Sequence, residues 1–453
     1  MSSSICLTRR SCLGALSSLA ATAVCRGADR LESRPRVAVV MTTCFFRSHA
    51  HVILENFLNR YLFNGKPIEP GVRVVSFYVD QFPENDFARD IARVYGIPIY
   101  GSIREALGCG ADRLAVDAVL SIGEHGHYPK TPKGQVMYPR KRFFDEIVSV
   151  FRKSGRVAPV FNDKHLSYRW DWAKEMVDTA RAMKIPLMAG SSVPLAQRRP
   201  ALELPAGCEM AEAVSIHGGG VESYDFHGLE VLQSMVEARK GGETGVVRLR
   251  FLDHDRLWEA AGRSEWSVQL AKRAMANELG ADHDLVRCFD RRGRDSAGKP
   301  VAMHGIQLQY ADGLRAMVLK VGSSGIRWNF ACRLKGAAES KATSFYVGPW
   351  NNRNLFKALS HAIQVHFRRR RAPYPVERTL MTSGVLDAAM DSRVKAGRWV
   401  ETPHLTWPYA PRDFRAMREM GATWKWIPEG TPEPSGLDRL ELHWPACGPR
   451  HAG

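Results

Sequence analysis

Between residues 36 and 189 the sequence alternates short apolar runs with stretches of helical spacing, and this alternation constrains the fold more than any other feature. The apolar runs are 36–41 (RVAVVM), 72–79 (VRVVSFYV), 96–100, 115–122 (AVDAVLSI), 157–161 and 186–189. Helical spacing fills 49–62, 86–95, 103–107, 142–153 and 170–183. Continuous apolar runs suit strands buried on both faces, and intervening helices make the crossovers of a parallel sheet. The expectation over 34–190 is a Rossmann-like, doubly wound α/β domain. In such sheets ligands sit beyond the carboxyl ends of the strands. Two of those ends are dense in acid/base groups: Glu124-His125-Gly126-His127 and Asn162-Asp163-Lys164-His165.

After residue 190 the pattern changes. Longer strand-like runs at 246–252, 302–310, 314–321 and 327–334 predict a mostly antiparallel open sheet. Helical spacing at 259–284, 355–367 and 377–394 accompanies it, with a polar loop at 288–300. The prediction is an α+β substrate and oligomerisation domain over 191–405, whose sheet offers a face for a second copy. An irregular tail rich in Pro and Trp follows over 406–453.

Residues 1–28 have the order of an export signal: Arg9-Arg10, then small and mildly apolar residues. The arginine pair resembles a twin-arginine signal, which predicts export of the folded chain to the periplasm. Cys25 invites a lipoprotein reading, but Thr22-Ala23-Val24 is a poor lipobox. No later stretch is long and apolar enough to span a bilayer, so no stable membrane anchor is expected.

The net charge of +17 invites an anionic partner, but Arg-rich solvated surface is the better account of it. The run Arg368–Arg371 follows a helical stretch, where positive charge complements the helix dipole. Basic and aromatic residues do not interleave, which argues against nucleic acid. The nine cysteines include no CxxC pair, so neither a zinc ribbon nor a dense disulfide framework is expected.

Three stretches together resemble the Gfo/Idh/MocA family of two-domain NAD(P)-dependent oxidoreductases. They are 160–166 (VFNDKHL) with its following helix and 186–190 (PLMAG), the stretch 227–247, and 380–405 (LMTSGVLDAAMDSRVKAGRWVETPHL). The resemblance covers roughly residues 36–405. It implies oxidation of a carbohydrate or polyol by NAD(P), with Lys164 at the position of the family's lysine. Lys164, His165 and His125 are then the catalytic candidates. Thr42, Thr43, His49, Asp80, Glu124 and Asp163 are the cofactor-binding candidates, and His127, Ser191, His217, Tyr224 and His227 the substrate-binding ones.

The chain also departs from the family. The first turn, 41–50 (MTTCFFRSHA), lacks the family's GxGxxG glycines, which let backbone approach a pyrophosphate. His165 stands where the family has Pro. A second reading is therefore the same scaffold without dinucleotide, a metal- or acid/base-assisted carbohydrate lyase or hydrolase. Its divalent-metal ligands would come from Glu124, His125, His127, Asp163 and His165, an imidazole and carboxylate set suited to Zn, Mn or Fe. A third reading is a non-catalytic carbohydrate-binding protein.

Overall fold

The structure, a computed structural model, describes residues 34–284 and 303–434. The leader with Arg9-Arg10 and Cys25, the 288–300 loop and the end of the tail lie outside the described residues. No helix among the described residues is long and apolar enough to cross a membrane.

The first sheet contains β1 (Arg36–Met41), β4 (Arg73–Val79), β5 (Ile99–Tyr100), β6 (Ala118–Ile122), β7 (Val160–Asp163) and β8 (Leu187–Gly190). All are parallel, in the order β5-β4-β1-β6-β7-β8. Successive β1 residues point to opposite faces: Val37 and Val39 enter one core, Ala38 and Val40 the other. That two-sided burial is why the run is continuously apolar. The strand order reverses between β1 and β6, which makes the crevice above them the switch point.

The helix expected over 49–62 ends sooner, as His49–Leu58. It is followed by a hairpin, β2 (Tyr61–Phe63) with β3 (Lys66–Ile68). Asn64-Gly65 turns that hairpin with φ of 50° and 73°, a conformation this dipeptide favours.

The second sheet has eight strands in the order β16-β11-β12-β13-β10-β14-β15-β9. They are β9 (Gln197–Arg199), β10 (Met210–Gly218), β11 (Val246–Asp253), β12 (His304–Tyr310), β13 (Arg315–Lys320), β14 (Ser324–Leu334), β15 (Lys341–Tyr346) and β16 (Val400–Glu401). Pairing is antiparallel except between β10 and β13. The fold is therefore the expected parallel α/β sheet joined to a mostly antiparallel one. β10 lies inside the sheet, yet its sequence, MAEAVSIHG, carries Glu and His and did not read as a strand.

Helix Asn352–Arg369 returns from the second half and packs on His49–Leu58. Across that junction Arg353 Nε donates to Glu55 Oε2 at 2.9 Å, and both side chains are almost fully buried. Removing one partner of a buried pair leaves an uncompensated charge. Arg353→Met is expected to lower unfolding stability by about 3–5 kcal/mol. Urea denaturation should show this as a lower midpoint at similar slope, and an unchanged midpoint contradicts it.

Candidate active site

The ends of β1, β6, β7 and β8 face a cleft of about 350 Å³. Glu124 and His125 reach it from the end of β6, Lys164 from β7, Ser192 from β8 and His49 from the first helix. Tyr224, His227 and Trp328 close it from the second half, and Leu355 and Phe356 from helix Asn352–Arg369.

Glu124 is the buried anion of this site. Its Oε1 lies 2.8 Å from Lys164 Nζ and its Oε2 2.5 Å from Arg140 Nη2. Burial alone would raise its pKa. The charges of Lys164 and Arg140, with His49 and His125 nearby, outweigh that and hold the carboxyl well below its usual range. Arg140 opens helix Arg140–Ser154 and passes directly over Gly123, where a Cβ would come within 2.7 Å of Arg140 Cγ. Arg140 follows Pro139 at a helix start, and nothing in its sequence context marked it.

The backbone turns sharply here. His125 and Lys164 have φ of 69° and 62°, unusual for residues with side chains. Such strain persists where surroundings over-determine it. Thr42 Oγ1 donates to the Glu124 carbonyl at 2.5 Å, and Asn162 Nδ2 donates to the carbonyls of Asp163 and His165 at 3.2 Å.

Asp163 Oδ2 lies 2.6 Å from His49 Nδ1. With Nδ1–H given to the carboxylate, the imidazole offers Nε2 as a base oriented by its acid. The His49 ring packs edge-on to Phe356 at 4.6 Å and to His125 at 5.3 Å. Burial, then the His49 charge, pull His125 down to about 4, so it is neutral at physiological pH.

His165 does not face the cleft. It lies buried behind Lys164, with Nε2 2.9 Å from Arg140 Nη1, and is corrected from a direct catalytic group to a positioning residue. Burial, then Arg140, hold it well below its normal pKa.

Its other neighbour is Glu222, whose Oε1 is 3.6 Å away and has no hydrogen-bond partner. Glu222 caps helix Ser223–Val236 in a capping box with Asp225, at φ 68°. Burial raises its pKa from the ordinary 4.5 to about 7, with Glu124 and Asp225 adding to the rise and Arg140 opposing it.

The aromatic wall of the cleft is Tyr224 stacked on Trp328, with centroids 5.3 Å apart and planes 7° from parallel. A Cβ at Gly219 would overlap the Tyr224 ring at 2.0 Å, so glycine is what lets that ring sit there. His227 Nδ1 lies 2.6 Å from Ser191 Oγ.

His217 is corrected: it is fully buried and turned to Asp225, away from the cleft lining. Asp225 Oδ1 meets His217 Nε2 at 3.0 Å and His304 Nε2 at 2.7 Å, and Oδ2 accepts the Glu222 N–H at 2.7 Å. Among the described residues this trio is the one group of three whose ligand atoms lie within 4.8 Å of one another. Gly219 N–H donates to His217 Nδ1 at 3.3 Å, which leaves the proton of the neutral ring on Nε2 facing the carboxylate. The trio is thus a hydrogen-bonded hub that holds Glu222.

The five-residue metal set does not converge. His127 is exposed outside the cleft, His165 Nε2 faces the Arg140 guanidinium, and Glu124 is taken by two cations.

Beyond β1, β4 and β6 runs a larger groove of about 930 Å³, joined to the cleft through His125 and Tyr138. This is the dinucleotide position of the fold. It has the room, but its residues do not fit a dinucleotide held in the usual way. No Lys or Arg lines it, and the Phe45 ring stands against His125 at 5.2 Å. Ser48 occupies the first helix's N-terminus, accepting from Phe45 N–H and His51 N–H. Asp80, the ribose candidate, is filled by Tyr78 and Arg142 at 2.6 Å and Tyr128 at 2.7 Å. Burial works to raise its pKa, and those three donors more than offset it. Thr42 is spent on the Glu124 carbonyl, and the Thr43 hydroxyl is buried without a partner. His127 lines this groove, its backbone pinned by Gln81 at 2.8 and 3.0 Å.

The raised Glu222 makes stability depend on pH. Between pH 4.5 and about 7 the folded chain holds a proton there that the unfolded chain has lost, so this group's stabilisation falls as pH rises through that window. Glu222→Gln is expected to remove this dependence, so that the wild-type-minus-variant stability difference falls as pH rises across that range. A difference that does not change with pH contradicts the assignment.

No protein-family profile matches the chain, and no curated protein matches it. Solved structures do. GenD2 from gentamicin A biosynthesis, in complex with NAD, is 12% identical with a TM-score of 0.52, over 81% of this chain and 96% of its own. A probable dehydrogenase from Thermotoga maritima is 11% identical with a TM-score of 0.50, over 82% and 100%. The apo scyllo-inositol dehydrogenase from Lactobacillus casei is 10% identical with a TM-score of 0.50, over 81% and 98%. At these identities the likeness is one of fold: the chain has the two-sheet architecture of the Gfo/Idh/MocA-type oxidoreductases.

Proposed function

We propose that the chain is an enzyme of the oxidoreductase type that acts on a carbohydrate or polyol in the cleft. The observation that carries this is the meeting of two acid/base pairs, Lys164–Glu124 and His49–Asp163, opposite an aromatic wall. Stacked rings suit the apolar face of a sugar or cyclitol. Lys164 donates to a substrate hydroxyl oxygen and stabilises negative charge there, while His49 takes the proton and Asp163 steadies the resulting imidazolium. NAD(P) as hydride acceptor is supported by the fold shared with NAD-bound GenD2. The leader supports work outside the cytoplasm.

A second reading is favoured by one observation, a groove lined by no Lys or Arg beside a first turn without glycines. Here the same proton-handling groups serve a lyase or hydrolase that needs no dinucleotide. Denaturing the purified protein and weighing what it releases separates the two. Stoichiometric NAD(P) overturns the second reading. Absence of nucleotide, together with turnover of a carbohydrate without added NAD(P), overturns the first.

On either reading Lys164→Ala and His49→Ala are each expected to lower kcat by about 10²- to 10⁴-fold on any substrate found. Unchanged kcat in both variants, measured by product formation, contradicts the assignment. A chain that binds carbohydrate but turns over none is a binding protein.

A further inference from the structure

Helix Ser223–Val236 has the cleft at its start. At its end lies a separate cavity of about 300 Å³, enclosed with β9 and the segment 411–418. From Tyr224 to Glu237 is about 20 Å at 1.5 Å per residue.

Two arginines line this cavity with side chains only 8% and 2% exposed, Arg198 and Arg418. Both donate to one carboxylate, that of Glu203. Arg198 Nε and Arg418 Nε and Nη1 have no partner at all. Buried guanidinium N–H groups are costly to leave unpaired.

The charges are unbalanced as well. Four arginines line the cavity, the others being Arg412 and Arg415, against three acids, Glu203, Glu237 and Asp413. Glu237 is already matched by two hydrogen bonds from Arg378, so four cations face two remaining carboxylates. Burial, then the neighbouring Arg418 charge, pull the Arg198 pKa down to about 9, a repulsion that an anion would relieve.

We propose that this cavity is a binding site for a phosphate group, free or carried on a small sugar, held between Arg198 and Arg418. Guanidinium forks match phosphate oxygens geometrically, and here two nearly buried guanidiniums share a single half-exposed carboxylate. The cavity holds the volume of about ten waters, more than a phosphate needs. Leu204, Met235 and Phe414 supply an apolar wall for an attached carbon skeleton.

Calorimetric titration of the full chain with inorganic phosphate and with glucose 6-phosphate, in chloride at matched ionic strength, tests this. One saturable site is expected for at least one probe, weakened about tenfold or more in Arg418→Gln. Ala206→Glu sets a carboxylate at the exposed rim without disturbing a buried group, and is expected to weaken binding as strongly. It decides the matter if Arg418→Gln does not fold. Binding of glucose 6-phosphate alone assigns the apolar wall to the sugar, and equal binding of both assigns the site to the phosphate. No saturable binding of either probe, or undiminished binding in Ala206→Glu, overturns the proposal.

Discussion

The buried carboxylate of Glu124 is the interaction on which the site depends. A lone carboxylate there would be untenable, so Lys164 and Arg140 come to it from β7 and from the helix that follows Pro139. Holding those cations in place fixes much else. Gly123 must lack a side chain, the chain after β6 and β7 must turn through left-handed conformations, and His165 must stand behind as a neutral acceptor for Arg140. Glu222 is drawn in from the second half, carried by the Asp225–His217–His304 hub. The two halves meet at the cleft through the Ser191–His227 hydrogen bond as well as by packing.

The groove beyond β1, β4 and β6 has the room for a dinucleotide but not the usual lining for one. Its polar groups are turned inward, to the protein's own side chains and backbone. Asp80 secures Tyr78, Tyr128 and Arg142, and Ser48 satisfies the helix N-terminus that would otherwise greet a phosphate. Those groups lie in the groove, whereas Lys164 and its carboxylate Glu124 line the cleft.

Much of this was legible in the sequence, and the losses have physical causes. β1, β6 and β7 were readable because strands buried on both faces are continuously apolar, and their ends pointed straight to Glu124, Lys164 and Asp163. β10 was hidden because Glu212 and His217 interrupt its apolar pattern. Glu212 pairs with Arg315 and Arg333 on neighbouring strands, and His217 with Asp225, contacts that no local pattern reveals. Arg140 and His304 were missed for the same reason, since their partners lie far away in sequence. Glu222 had a local signal, the Glu222–Asp225 capping box, which only acquires meaning once His165 is seen beside it. Asp80 was correctly placed at the end of β4 yet turned out to serve the protein's own side chains.

A crystal structure with a bound sugar or polyol tests the central claim most directly. The account predicts a substrate hydroxyl oxygen within hydrogen-bond distance of Lys164 Nζ, a second approach from His49 Nε2, and a sugar face against Trp328. A ligand seated in the outer groove, with the Lys164–Glu124 pair and His49 untouched, would contradict it.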